Sequence, residues 1–301
     1  MASAPVFRAA LGLNNVTEPH RLKFREDGAC ELAEAVNVII DDSGSAKRRK
    51  GIIKLVDGAC HSLWAKGAYC FFVSNGKLYR YMDGSSVLVN GSCGDADMFF
   101  AEYAGRIYCN NGTFRAILKD MTVTSWVASV PQQHASDTRT LGMPVTFGRV
   151  CSFAGRMFAV DGQYLWESEP GNPSCFDLGS GYMDFGEQVT DVVAVRGGLY
   201  VSTTTRAFFL AGSSKADFVK VEVYQQPMIA GTARQIAGDD TGDGGFLQGV
   251  CAIWVSQSGV CIGSEDGKVS NVTSRKLVFD KATNGAGVVM PGQYLFSLEV
   301  E

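Results

Sequence analysis

Three imidazoles, His20, His61 and His134, serve 301 residues, so any histidine-centred acid–base chemistry is built around them. His134-Ala135-Ser136-Asp137 holds the three residue types of a hydrolytic triad. Neighbours in sequence do not make a triad, because nucleophile, base and orienting carboxylate converge from separate segments. No Gly-x-Ser-x-Gly context surrounds a serine, which removes the strained turn that exposes a hydrolase nucleophile. His61, before Ser62-Leu63-Trp64, reads as a hydrogen-bonding residue at a strand end rather than a general base. Asp239-x-Thr241-x-Asp243-Gly244 partly matches a calcium loop, but Val250 stands where the bidentate Glu belongs. The EF-hand reading fails, and a looser cation site or a flexible acidic turn remains. Glycoside hydrolysis needs two facing carboxylates, and nothing in the sequence marks such a pair. Gly197-Gly198 lacks the Lys-Ser/Thr that follows a phosphate loop. The expectation is a protein that is not an enzyme, with no catalytic residue, cofactor or metal site.

Composition narrows the classes further. Hydrophobic residues make up 46% and aromatics 11%, enough for a core, so wholesale disorder is excluded. The net charge of −4 suits a general nucleic-acid binder poorly. No apolar run reaches the roughly 18 residues of a membrane span, and Met1 to Phe7 shows no secretory pattern. The nine cysteines are odd in number and contain no Cys-x-x-Cys; several sit in apolar runs such as Tyr69-Cys70-Phe71-Phe72, as small buried hydrophobes do.

The elements that position these residues are strands. Helical periodicity is nearly absent, and short apolar runs alternate with glycine turns. An imperfect repeat recurs: Gly67 to Val73, Gly105 to Cys109, Gly155 to Val160 and Gly198 to Val201, each followed by a turn and a second aromatic strand, with a weaker copy at Cys251 to Ile262. Pairs at Asn75, Asn111 and Asp161, each followed by Gly, supply the positive φ of tight hairpins. The spacing falls near the period of four-stranded propeller blades. The fold class expected is all-β, a single β-propeller spanning 31–301, with residues 1–30 as an extended arm. Five blades are countable. A sixth is expected from both chain ends, with Ala35 to Ile40 and Ala46 to Arg49 pairing with Gly292 to Phe296, because a shared blade removes an open edge. Ser129 to Met143 and Gln225 to Gly245 read as long loops that leave the ring. Trp126 and Trp166 are candidate exposed aromatics for a sugar- or receptor-binding propeller, although most such rings pack between blades.

The opening also carries Gly12-Leu13-Asn14-Asn15-Val16, Glu34-Ala35-Val36-Asn37-Val38, the run Asp42 to Gly51 with Arg48-Arg49, and His61-Ser62-Leu63-Trp64. Over about the first 80 residues it resembles β-propeller virion proteins of tailed bacteriophages, of the tail hub or nozzle type. The resemblance implies a structural tail protein made in the host cytoplasm and built into the virion. It would form a homo-oligomeric ring, a hexamer on this reading, against adaptor or portal proteins and distal tail proteins. Double-stranded DNA would pass nearby without specific binding, and no membrane insertion is implied. A receptor- or glycan-binding propeller at the tail tip is the alternative, and a glycan-degrading enzyme ranks behind it. Interface residues are expected at Asn14 and Asn15 of the arm, at Lys47, Arg48, Arg49 and Lys50, at His134 and Asp137, and at Asp239, Asp240 and Asp243. The basic run reads first as a solvated edge that discourages aggregation, then as a salt-bridging contact to the acidic surface of a neighbouring subunit, and last as a contact to packaged DNA.

Overall fold

The apolar runs and glycine turns resolve into consecutive antiparallel sheets in a computed structural model. It describes residues 9–300 apart from 42, 52, 68, 242–246, 248 and 291–292. Five sheets follow one another along the chain, at residues 61–90, 99–125, 141–184, 189–224 and 234–271. Four are four-stranded meanders; the third has six strands. The protein is an all-β propeller with five blades.

Apolar wedges set the blade spacing. Phe71 and Leu78 meet Ile107 and Leu118 between blades 1 and 2, and Tyr108 and Trp126 meet Met157 and Phe176 between blades 2 and 3. Phe158 and Leu165 meet Leu199 and Leu210 next, then Tyr200 and Phe209 meet Trp254. Burying one large side chain contributes about 1.5–3 kcal/mol, against about 0.5–1.5 for a net hydrogen bond. Packing between sheets therefore outweighs the side-chain hydrogen bonds that cross the same seams.

Six blades are expected from the sequence and five are found. Ala282–Met290 and Gln293–Val300 form a hairpin of two strands only, packed on blade 5 through Tyr294, Phe296 and Leu298. Val38–Ile40 and Ala46–Arg48, expected to complete it, pair with each other. The Asp41 carboxylate accepts hydrogen bonds from Ser43 N, Ser45 N and Lys47 Nζ and closes the turn of this N-terminal hairpin. Among the described residues, no apolar cluster joins the C-terminal hairpin to blade 1.

The turns carry a second correction. Asn75 and Gly76 both have positive φ, 49° and 68°, as a tight hairpin requires. At the other two pairs only Gly112 and Gly162 do. Asn111 instead accepts hydrogen bonds from the Thr113 and Phe114 amides, making a longer side-chain-capped turn. Ala104-Gly105 and Ala154-Gly155 take the doubly positive geometry, with alanine φ of 48° and 46°.

Candidate functional site

One strand in each of blades 2 to 5 lies innermost. Phe99–Tyr103 packs against Val150–Phe153, which packs against Val189–Val195, which packs against Arg234–Ala237. These are the first strands of blades 2, 4 and 5 and, in blade 3, the strand after the edge strand Leu141–Gly142, and their leading ends gather at one end of the axis. There stand Phe99, Arg149, Asp191 and Arg234.

Asp191 follows a register irregularity in its strand, and such bulges re-aim a side chain. Its side chain is only 5% exposed. Oδ2 accepts from Gly231 N at 3.0 Å; Oδ1 accepts from Val192 N at 3.0 Å and faces Arg149 Nη1 at 3.3 Å. The Arg149 guanidinium also lies 4.6 Å over the Phe99 ring, a cation–π contact. Arg234 donates Nη1 to Ala233 O at 2.6 Å. Burial pushes its pKa down, Asp191 and Tyr294 oppose that, and Arg149 adds to it. Tyr294 donates its hydroxyl to Thr232 O at 2.7 Å, and burial pushes the phenol pKa up. The cluster thus has two guanidiniums, one carboxylate saturated by donors, and a phenol that stays protonated. Arginine does not give up its proton, so the arrangement binds and orients charge rather than moving protons.

A second cluster sits where blade 1 begins. His61 Nδ1 lies 2.8 Å from Ser62 Oγ and Nε2 lies 3.2 Å from Asp95 Oδ1, with Asp97 3.8 Å from Nδ1. Ser62 has φ of 56°, a strained value for a residue with a Cβ. Its Oγ accepts from Met98 N at 2.8 Å, and Asp95 accepts from Gly76 N at 3.0 Å. These bonds tie the connection between blades 1 and 2 onto blade 1. The Gly76 amide, then His61, holds the Asp95 carboxyl below its usual range.

Two grooves open between blades. One of about 600 Å³ lies between blades 2 and 3 and is lined by Tyr103, Arg106, Tyr108, Val127 and Asn172. The other, about 340 Å³, lies between blades 3 and 4 and is lined by Arg156, Glu167 and Lys215. Glu167 is buried, 2.9 Å from Arg156 Nη1, and accepts from the Lys215 amide. Burial pushes its carboxyl pKa up.

Of the residues singled out in the sequence, His61 stands in the second cluster, and those expected at interfaces lie apart from both. Asn14 is buried, donating to Glu31 and accepting from the Val16 and Thr17 amides. Asn15 is exposed and bonds the chain segment 276–278. Lys47 pairs with Asp41 at 2.9 Å and Arg49 reaches Asn37 at 3.5 Å; Arg48 and Lys50 are exposed. His134 bonds Ser136, and Asp137 bonds Arg139, which also grips Glu169 at 2.9 Å. The loop Ser129 to Met143 therefore lies along blade 3, where Leu141–Gly142 adds a short edge strand. Asp239 and Asp240 are exposed in a short 3-10 turn, and Asp243 lies outside the described residues. No cluster of metal-ligating side chains occurs among the described residues. Trp126 is 1% exposed and packs on Tyr108 and Phe147, so it offers no sugar platform; Trp166 is partly buried beside Tyr182. Arg149, Asp191 and Arg234 carry no local motif. The one signal available was a charged residue at or near the head of three of the inner apolar runs.

No family model matches the chain, and no curated protein matches it. Solved structures do. A gluconolactonase from Xanthomonas campestris is 11% identical, with 77% of this chain and 82% of that one covered and a TM-score of 0.43. KlHsv2 with loop 6CD replaced by a Gly-Ser linker is 11% identical over 84% of this chain and 79% of that one, with a TM-score of 0.48. The Neurospora crassa Pan2 WD40 domain is 10% identical over 77% of this chain and 66% of that one, with a TM-score of 0.43. At such identities and scores these likenesses bear on no activity and no partner.

Proposed function

We propose that this chain is a non-enzymatic structural component of a phage tail, a hub- or nozzle-like ring protein around the DNA conduit. The observation that supports this most is the exposure of the N-terminal region after the arm. Val36, Val38, Ile39, Ile53 and Leu55 all face solvent, Ile53 at 81%. Apolar side chains gathered on a single chain are what an assembly interface covers. The same stretch carries the motifs on which the phage resemblance rests.

The finer form of the reading concerns the missing blade. The C-terminal hairpin is half a blade, with Val288, Met290 and Leu295 exposed. The N-terminal hairpin of a neighbouring copy supplies the other half, so six blades are reached only in the ring. Such a head-to-tail contact closes when its rotation fits, and sixfold closure follows the resemblance. Imaging particles that carry a labelled copy tests the proposal: a ring of label at the tail is expected, and particles devoid of label overturn it.

A further inference from the structure

Two guanidiniums and one carboxylate meet at the axial end, and the charges do not balance. Asp191 is satisfied by two backbone amides and Arg149. Arg234 heads the strand packed beside Val189–Val195 and forms no salt bridge of its own among the described residues, Asp191 being engaged by Arg149. Among the described residues, the charged groups acting on it are Asp191 and Arg149, with the neutral Tyr294 beside them. Arg234 spends Nη1 on Ala233 O and Arg149 spends Nη1 on Asp191. The remaining N–H donors of both forks have no described protein acceptor.

The rest of the site is held still. Phe99 supports the Arg149 plane, the Asp191 contact fixes its direction, and the Tyr294 hydroxyl pins the Thr232 carbonyl two residues before Arg234. A fork held in place loses less freedom on binding than a free one, and its parallel donors match the two oxygens of a carboxylate or phosphate. Partial removal from water strengthens the attraction.

We infer that the leading ends of the inner strands form an oxyanion-binding site, in which Arg149 and Arg234 take the phosphate or carboxylate group of a small molecule. The inference does not rest on a role in a tail. Titration calorimetry with sodium phosphate and with sodium succinate, at an ionic strength fixed with sodium chloride, tests it. Saturable one-site binding of at least one anion is expected, and which one binds identifies the group. Arg234→Gln is expected to weaken it about tenfold or more. Binding of neither anion overturns the site, as does unchanged affinity in a folded Arg234→Gln protein. Arg234→Lys keeps the charge but removes the fork and decides the matter if the glutamine variant unfolds: weaker binding supports the site, and unchanged affinity overturns it.

Discussion

Asn15 and Val278 are hydrogen-bonded twice, side-chain amide to backbone, across 263 positions of sequence. Asn15 Nδ2 donates to Val278 O at 2.9 Å, and Val278 N donates to Asn15 Oδ1 at 2.9 Å. The side chain copies a strand ladder and fastens the arm to the segment after blade 5. Asn15→Ala is expected to cost about 1 kcal/mol, since each exposed bond contributes modestly. Faster hydrogen exchange at the Val278 amide, with blade amides unchanged, is the readout.

The two alanine turns are improvable. Ala104 and Ala154 are exposed and hold left-handed backbone angles, which cost a residue with a Cβ about 1–2 kcal/mol. Ala154→Gly and Ala104→Gly each remove that strain while loosening the unfolded chain. A net gain of up to about 1 kcal/mol in denaturant unfolding is expected for each.

Gly263 shows the opposite case. A Cβ there would stand 2.4 Å from the Tyr200 ring, and that ring is fully buried between blades 4 and 5. Gly263→Ala is expected to destabilise by about 1–3 kcal/mol, the usual cost of overpacking. Tyr200→Phe removes the bond to Ser264 O at 2.7 Å; Gly267 N still donates to that carbonyl, so the expected cost is that of one net hydrogen bond, about 0.5–1.5 kcal/mol. Thermal unfolding of both variants checks the pair.

The thiols predict a reactivity pattern. All nine cysteines are free and Cys60 alone is exposed. Burial pushes Cys109 and Cys151 up to about 12, and the thiol form is a poor nucleophile. A disulfide reagent at pH 8 is expected to modify one thiol quickly in the native protein and all nine after unfolding. Rapid modification of Cys109 would contradict the packing.

Acid should loosen the connection between blades 1 and 2. Asp95 has a folded pKa below the ordinary value of about 3.9. Its contribution is therefore fully present above that ordinary value and is lost as pH falls through the lower folded one. Asp95→Asn is expected to be less stable than the parent at pH 7, with the difference shrinking as pH falls below the ordinary carboxylate value. A difference that stays the same as the pH is lowered would mean the carboxylate charge plays no part.

The strand content, the blade period and the turn at Asn75 were legible because they depend on neighbours in sequence. The repeat located a hairpin inside each of the first four blades rather than the blade starts, and its fourth glycine, Gly198, lies inside a strand where a Cβ would strike Leu210 O. The weak fifth copy became a full blade because Trp254 is buried against Tyr200, a contact that no local pattern encodes. The sixth blade was not completed because, among the described residues, each chain end forms a two-stranded hairpin of its own, and which strand edges meet is a long-range matter outside any local pattern. The axial cluster was invisible because Arg149, Asp191 and Arg234 come from three separate blades.

The wedges run only from each sheet to the next, and the described ones stop at the C-terminal hairpin. Stacks coupled only to nearest neighbours gain stability additively along the stack. Loosening one seam is therefore felt first by the two sheets that share it, while the more distant seams keep their own packing.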